Sequence, residues 1–221
     1  MSIYLCGMKS NRSTIVLFLL LYGLLISCSN RFALRSADLL FQVNKRNDFT
    51  DAIITSTGSV RELSFSHVGI AVVEKRQKFV MEASTKGGVQ KISLKKFLEK
   101  SARDTAGNPL VVVYRLKDKA DANVVINNAS KYLGLPYDSA FQPNDEAMYC
   151  SELVYKSFLD ATGKPMFHAK AMSFSDSTGK TSRLWIDYFK RMGKPVPEGE
   201  PGTNPNAMSK ETIIQEVHRF F

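Results

Sequence analysis

Residues 65–73 read FSHVGIAVV and residues 78–83 read KFVMEA, and the polar tetrad Glu74-Lys75-Arg76-Gln77 separates them. The first run is rich in β-branched residues, and both runs have the length and the apolar content of strands. The tetrad predicts a turn, so the two strands are expected to form an antiparallel hairpin. This hairpin carries His67 on its first strand and Glu82 on its second.

Strand pairing puts His67 and Glu82 on the same face of the predicted hairpin. A two-residue turn at Lys75-Arg76 places Glu82 opposite Gly69 and diagonal to His67, whereas a turn centred one residue earlier places it directly opposite His67. A catalytic histidine needs a proton acceptor on its second ring nitrogen, so His67 is a candidate base and Glu82 its orienting carboxylate. A hydrogen-bonded core histidine and a solvated carboxylate are the alternatives that these residues leave open.

The segment that begins at Tyr149-Cys150-Ser151-Glu152 predicts a helix over residues 150–161, with Leu153 and Phe158 on its apolar side. A thiol at a helix N-terminus is favoured as thiolate by the exposed N–H groups and the helix dipole. Cys150 is therefore a candidate nucleophile. A buried structural cysteine is the alternative.

The rest of the chain predicts a mixed α+β fold rather than a regular alternation of strands and helices. We expect strands within residues 37–43 and 110–116, a helix or loop over 48–63, and an extended loop over 195–206. Helices are expected over 93–100, 121–133 and 184–192, and residues 211–221 are expected to pack back on the domain.

Five segments occur in an order that is typical of a known family. Together they resemble the circularly permuted papain-like cysteine hydrolases of the YiiX/YaeF type, within the NlpC-related superfamily, in which the histidine precedes the cysteine. The resemblance spans roughly residues 37–160, and residues 197–209 resemble the family more weakly. The segments are Ala37-Asp38-Leu39-Leu40-Phe41, Ser66-His67-Val68-Gly69-Ile70, Val80-Met81-Glu82-Ala83, Leu135-Pro136-Tyr137-Asp138 and Tyr149-Cys150-Ser151-Glu152-Leu153-Val154.

The resemblance implies a permuted papain-like fold, in which a small antiparallel sheet packs against helices and the nucleophile lies at a helix N-terminus. By position, Cys150 is the nucleophile, His67 the base and Glu82 the residue that orients the imidazole. An acyl group would pass through a thioester on Cys150. Backbone N–H groups near Cys150, with the Tyr149 or Tyr137 side chain, would bind the oxyanion. No cofactor is implied.

The first 28 residues predict a signal peptide. Lys9 and Arg12 precede an apolar run at residues 15–26, which is twelve residues long where a membrane-spanning helix needs about 20. The run ends in Leu-Ile-Ser-Cys28, which resembles a bacterial lipobox, so Cys28 is expected to be acylated; an ordinary signal peptide with an incidental cysteine is the alternative. Translation from Met8 would give the same signal. Residues 29–36 then form a tether, and 37–221 a single domain.

These features predict a lipid-anchored protein of the bacterial cell envelope that faces the periplasm or the cell exterior. Cleavage before Cys28 lowers the formal net charge from +9 to +7, because it removes Lys9 and Arg12 and no acidic residue. Cleavage also removes Cys6, which leaves Cys150 as the sole free thiol. No intrachain disulfide is then possible.

Other classes of function are not supported by the sequence. The lysines are scattered rather than arranged in a stripe with aromatics, which argues against nucleic-acid binding. Gly179-Lys180-Thr181 is not a phosphate-binding loop, because Phe174 stands where that motif needs glycine, so no nucleotide is expected. The dispersed histidines give no metal-ligand spacing.

Three functions remain after these exclusions. The first is hydrolysis of an amide or ester bond, in a cell-wall peptide or a lipid-like N-acyl compound. The second is acyl transfer to an amine or lipid. The third is non-catalytic binding of peptide or lipid.

Overall fold

The computed structural model describes residues 32–57, 63–118, 120–142, 144–176 and 178–221. The predicted signal peptide, Cys28 and the start of the tether lie outside these residues. Leu34–Phe221 form one compact unit. In the part of the chain that is described, no helix is both long and apolar enough to cross a membrane.

A six-stranded antiparallel sheet forms the centre of this unit, with the strand order β4-β3-β2-β1-β5-β8. A two-stranded ribbon of β6 and β7 stands apart from it. The strands are β1 (Leu39–Gln42), β2 (His67–Glu74), β3 (Gln77–Ser84), β4 (Gly88–Ser93), β5 (Val111–Leu116), β6 (Lys170–Ala171), β7 (Pro201–Gly202) and β8 (Ile214–Arg219).

The described helices are short, and side-chain hydrogen bonds fix where several of them begin. Ser93 caps α2, Asp121 caps α3 and Ser182 caps α5, as short polar residues do at helix N-termini. The helices are α1 (Asp48–Thr57), α2 (Leu94–Glu99), α3 (Ala122–Ser130), α4 (Cys150–Ser157), α5 (Arg183–Arg191) and α6 (Pro205–Met208).

Two apolar clusters hold these elements together. In the larger one, alternate residues of the central strands, such as Phe41 and Ile70, pack against Leu153 of α4. In the smaller one, Trp185 and Phe189 of α5 pack with Ala52 of α1. Burial of apolar side chains on this scale is the main favourable contribution to folding. The larger cluster therefore fixes α4, and Cys150 at its start, against the sheet.

The hairpin of β2 and β3 has the first of the two registers considered above. Glu74 pairs with Gln77 and Ile70 with Met81, so Lys75 and Arg76 form a two-residue turn. Lys75 has a φ of 55°, in the left-handed region that two-residue hairpin turns require.

The structure adds one strand and changes the extent of several expected segments, among them α4 and residues 195–206. Strand β4 was not predicted. Helix α4 ends at Ser157 rather than at residue 161, because the backbone leaves the helical region at Phe158 and Leu159 then bridges to Pro165. The segment 195–206 is not wholly an extended loop, since it contains β7 and the start of α6.

The beginning of α6 carries helix-start residues in the segment that was predicted as a loop. Asn204 caps the helix by accepting a hydrogen bond from the Ala207 amide at 2.8 Å, and Pro205 occupies the first turn. Proline is well tolerated there because its missing N–H would have no partner in any case. The tail does return to the domain: β8 pairs with β5 along the sheet edge.

Candidate active site

His67 and Glu82 form a buried ion pair on the hairpin. The Nε2 atom of His67 lies 2.7 Å from Oε2 of Glu82. Glu82 is fully buried and His67 is 7% exposed. Because the carboxylate holds Nε2, the other ring nitrogen, Nδ1, is left for a second partner.

That second partner is Cys150. It is the first residue of α4, and its side chain is near enough to the imidazole to raise the pKa of His67. Among the described residues Cys150 is the one free cysteine, and it is 6% exposed. The three side chains proposed from the sequence thus meet in the order thiol, imidazole, carboxylate.

The second carboxylate oxygen of Glu82 has two partners that the sequence did not suggest. Gln90 donates to Oε1 from its Nε2 at 3.1 Å, and the Lys100 ammonium also binds Oε1. Gln90 lies directly opposite Glu82 on β4. Because β4 was not predicted from the sequence, the contact of Gln90 with Glu82 was not predicted either. With three donors in place, the buried charge of Glu82 is compensated.

Helix α2 covers the His67 ring. The ring of Phe97 stacks on the imidazole with 5.8 Å between centroids and 28° between planes. Gln42, which pairs with His67 across β1 and β2, donates to the Phe97 carbonyl at 2.8 Å. Since Lys100 follows the same helix, α2 supplies contacts to both members of the pair.

The electrostatics of the pair favour its charged form. Burial alone would lower the pKa of His67, but hydrogen bonds and negative charge from Cys150 and Glu82 outweigh it and raise this pKa to about 10. Burial opposes ionisation of Glu82 as well, yet His67 and then Lys100 lower its pKa to about 2. The imidazole therefore keeps its proton at neutral pH.

The start of α4 is held by polar contacts on one side. The Tyr149 amide donates to Oε2 of Glu152 at 3.5 Å, while Oε1 of Glu152 pairs with Lys156 at 2.9 Å. Lys156 also binds Asp145 in the preceding loop at 2.6 Å. Burial raises the pKa of Glu152, and Lys156 opposes this rise.

On the other side, the segment after β7 closes over the same helix turn. The Thr203 amide donates to the Tyr149 hydroxyl at 3.1 Å, and the Thr203 hydroxyl donates to Ser151 at 3.0 Å. A Cβ at Gly202 would lie 3.1 Å from the Tyr149 hydroxyl and 2.6 Å from Met172, so glycine permits this close approach. Thr203 lies within residues 197–209, the segment that resembles the family more weakly.

Both predicted oxyanion tyrosines lie at the cleft beside Cys150. Burial raises the pKa of Tyr149 to about 12 and raises the pKa of Tyr137 well above its usual value, with the charge of Cys150 adding to the latter. Both hydroxyls therefore stay protonated and can donate. The Tyr149 hydroxyl already accepts the Thr203 N–H, which leaves its own proton to give.

The loop that carries Tyr137 is anchored to β4. The Val89 amide donates to the Leu135 carbonyl at 2.8 Å, and the Gly134 amide donates back to Val89 at 2.9 Å. A Cβ at Gly88 would collide with the Leu135 carbonyl, and Gly88 has a φ of 61°, so glycine is needed for this contact.

Two clefts meet at the cysteine and the histidine. The first, about 570 Å³ with its mouth, reaches Cys150; its described lining residues include no Asp, Glu, Lys or Arg. The second, about 750 Å³ with its mouth, reaches His67 and is lined by Lys45 and Lys100 among polar residues. Apolar and aromatic side chains dominate the first cleft: Ile53, Tyr137, Phe141, Met172, Phe174 and Trp185.

The other two histidines lie elsewhere. His168 is exposed and pairs with Glu211 at 3.0 Å, and His218 lies on β8, opposite Val113. Residues 134–145 and 173–182 contribute to the cleft at Cys150 through Phe141 and Phe174.

A histidine and a buried carboxylate on adjacent strands, facing a cysteine at a helix start, define a papain-like cysteine hydrolase site. The chain belongs to the permuted papain-like amidase family of the YaeF/YiiX (C92) type, whose profile matches residues 33–218. The predicted fold and enzyme class are thereby confirmed.

Two proteins illustrate the relationship. The uncharacterized protein YiiX of Escherichia coli K12 is 27% identical over 177 residues, which cover 79% of this chain and 81% of that protein. The crystal structure of the metalloprotein yiiX from Escherichia coli O157:H7 superposes with a TM-score of 0.69 at 24% identity, covering 85% of this chain and 98% of that one. The latter likeness shows a shared fold.

That structural neighbour is described as a metalloprotein, so we tested whether the residues here fit a metal. Within the described ranges, no group of three or more His, Cys, Asp or Glu side chains is arranged to hold a metal ion. Both oxygens of Glu82 already accept from nitrogen donors, Oε2 from His67 and Oε1 from Gln90 and Lys100. The described residues therefore do not fit a metal site, and no step is assigned to one.

Proposed function

We propose that the protein is an exported, lipid-anchored cysteine hydrolase that cleaves an amide or ester bond through a thioester on Cys150. One observation carries the proposal. The His67 imidazole lies beside Cys150, whose side chain raises the pKa of His67, and it hydrogen-bonds the fully buried Glu82 carboxylate. A purely binding protein has no need of this arrangement.

The first half of the reaction acylates the cysteine. The Cys150 thiolate attacks the substrate carbonyl carbon while its former proton resides on His67. The tetrahedral intermediate collapses when His67 returns this proton to the leaving nitrogen or oxygen, so that the C–N or C–O bond breaks and a thioester remains. Glu82 keeps the imidazole oriented and stabilises its positive charge throughout.

The negative charge that develops on the carbonyl oxygen needs donors at the start of α4. The first backbone N–H groups of a helix have no acceptor within the helix, so the N–H of Cys150 is suited to this role. The hydroxyls of Tyr137 and Tyr149 are further candidate donors, since both line the cleft at Cys150 and both stay protonated.

The second half releases the acyl group. His67, now neutral, removes a proton from water, and the resulting hydroxide attacks the thioester carbonyl. Collapse of the second tetrahedral intermediate expels the Cys150 thiolate and leaves a free acid. The imidazolium and thiolate are thereby restored.

The cleft next to Cys150 favours an apolar acyl group over a cell-wall peptide. Its described lining residues carry no formal charge, and its walls are mainly aromatic and aliphatic. A charged peptide would lose hydration there without gaining a partner, whereas each buried methylene contributes about 0.8 kcal/mol. We therefore favour a lipid-like N-acyl substrate.

Labelling with a thiol-reactive acyl probe between pH 5 and 9 tests the nucleophile. A free thiol is half ionised at about pH 8.5. We expect adduct formation at Cys150 at a pH well below this value. Cys150→Ala should remove the label and His67→Ala should slow it strongly. His168→Ala is the matched control, because this exposed histidine lies outside the site. Labelling that tracks a free thiol, or that survives Cys150→Ala, would contradict the proposal.

An acyltransferase of the same fold is the second candidate. The open polar cleft beside His67 could admit an acyl acceptor as well as water, so it favours transfer as much as hydrolysis. Water and an amine or lipid acceptor would compete for one thioester. Product analysis with and without candidate acceptors separates the two: free acid alone supports hydrolysis, while an acylated acceptor supports transfer.

The export and anchoring part of the proposal rests on the sequence before residue 32. Mass analysis of the mature N-terminus is expected to find an acylated Cys28, and Cys28→Ala should release the protein from membranes. Cys6→Ala is the matched control. An N-terminus that still contains residues 1–27 would contradict this part alone.

A further inference from the structure

The cleft on the His67 side has a composition opposite to that of the cleft at Cys150. Two cationic residues, Lys45 and Lys100, line it together with His67, and its described lining residues include no Asp or Glu. Asn44, Asn47 and Thr85 add further polar surface. An anionic group would gain both charge attraction and hydrogen-bond partners there.

The two clefts are joined at the reacting atoms. Ile53, Ser66 and Tyr137 line both of them, whereas Cys150 lines only the apolar one and His67 only the polar one. In the acylation step the acyl group ends up bonded to the cysteine, and the leaving group receives its proton from the histidine. The chemistry therefore assigns the apolar cleft to the acyl group and the polar cleft to the leaving group.

We infer that the polar cleft is a binding site for an anionic leaving group, which carries a carboxylate or a phosphate next to the scissile bond. This assignment rests on the proposed hydrolase function and names the second half of its substrate. The substrate class is then an amphipathic N-acyl or O-acyl compound, apolar on the acyl side and negatively charged on the other.

Lys45 and Lys100 contribute differently. One donor of the Lys100 ammonium is engaged by Glu82, which leaves further donors for a substrate anion. Lys45 is exposed at the cleft. Since Lys100 also supports Glu82, Lys45 is the better position at which to test the charge preference separately from the chemistry.

The test compares three substrates with the same decanoyl chain on the full-length protein: N-decanoylglycine, N-decanoyl-phosphoethanolamine and the neutral N-decanoylglycinamide. At low ionic strength, kcat/KM for the anionic substrates is expected to exceed that for the neutral one by about two- to fivefold, as for a partly exposed ion pair. Salt at 0.5 M should reduce this ratio. The glycine and phosphoethanolamine arms distinguish a carboxylate from a phosphate preference.

Lys45→Glu should bring the anionic-to-neutral ratio to one or below. Lys95→Glu makes the same change in net charge on the exposed side of α2, where the Lys95 side chain is 87% exposed, and should leave the ratio unchanged. An equal loss in both variants would indicate long-range steering rather than a site and would overturn the inference.

Binding to Cys150→Ala separates this inference from the proposed function. The same three compounds are titrated calorimetrically against that variant, in which no turnover is possible. Tighter binding of the anionic pair, sensitive to Lys45→Glu, supports the site even if the wild type cleaves none of them; in that case only the hydrolase proposal fails. Equal affinity for all three, tighter binding of the neutral compound, or no binding of any overturns the inference.

Discussion

Two regions bring the reacting groups together, and they are held in different ways. His67 and Glu82 lie on one hairpin, fifteen residues apart, and their contact follows from strand pairing alone. The start of α4 is held by the distant Thr203 and by a loop residue, Asp145. The base is thus built locally, whereas the nucleophile is positioned by long-range packing.

The difference also concerns charge. The hairpin pair is buried, and the pKa shifts of His67 and Glu82 favour the charged form of both, so removing either partner leaves an uncompensated charge. The contacts of Thr203 at the helix start join neutral groups, and each contributes about 1 kcal/mol. Damage to the hairpin should therefore cost far more than damage to the segments around α4.

The largest effect is expected for Glu82→Gln. The amide keeps the shape but removes the charge that three donors surround, so kcat should fall about 10²- to 10⁴-fold and the free energy of unfolding by about 3–5 kcal/mol. Steady-state kinetics and urea unfolding measure both. Glu74→Gln is the control, since its pair with Lys91 is half exposed and contributes at most about 1 kcal/mol. Equal effects of the two changes would show that Glu82 has no special role.

Stability against pH should reveal the pair directly. The raised pKa of His67 gives stability that is complete below about pH 6.5 and is lost as the pH rises through about 10. The lowered pKa of Glu82 gives stability that is complete above about pH 4.5 and is lost as the pH falls through about 2.

Urea midpoints across this range measure both limbs, and Cys150→Ala should move only the alkaline limb to lower pH. The reason is that Cys150 makes the largest of the contributions that raise the pKa of His67. NMR titration of the His67 ring gives the same pKa directly. An alkaline limb that stays in place in Cys150→Ala would contradict the contact between thiol and imidazole.

A smaller effect is expected for Lys100→Met. The ammonium lowers the pKa of Glu82, so its loss should raise that pKa, shift the acid limb of the rate profile to higher pH and reduce kcat about tenfold. Lys95→Met, on the same helix, should change neither quantity. If the acid limb stayed in place while kcat fell, Lys100 would act through packing rather than through the charge of Glu82.

The smallest effect is expected for Thr203→Val. This change removes the hydrogen bond to Ser151 but keeps the backbone N–H that binds Tyr149, so we expect a loss of about 1 kcal/mol and a severalfold decrease in kcat/KM. Thr181→Val removes a similar hydroxyl contact, to Ser175, away from the site and should lower stability alone. A hundredfold drop in kcat/KM would mean that activity depends on the contacts at the start of α4 as strongly as on the hairpin pair. That result would contradict the difference between the two regions.

The residues of the hairpin could be predicted from the sequence because a strand alternates its faces with a fixed period of two. That period placed His67 and Glu82 on one side in either register, and only the turn at Lys75-Arg76 was left to be decided. The helix start at Cys150 was equally local, since polar residues precede an apolar helical pattern. The order of these segments then gave the family.

The sequence did not predict four residues that contact the site: Gln90, Phe97, Lys100 and Thr203. Gln90 depends on the pairing of a strand that has no clear alternation, and Thr203 reaches Ser151 across 52 residues of chain. Lys100 and Phe97 contact the pair only because α2 folds back over the sheet. Such contacts arise from packing, which a local pattern does not encode.

By itself, the sequence put His67 and Glu82 on one face of a hairpin and Cys150 at a helix start, because strand period and helix starts are local properties of the chain. The roles of nucleophile, base and orienting carboxylate are what the resemblance to the family implies. Only the tertiary structure decided that an uncharged cleft opens at Cys150 and a cationic one at His67. Each cleft is lined by residues from segments far apart in sequence, so its shape and charge exist only once the chain has packed.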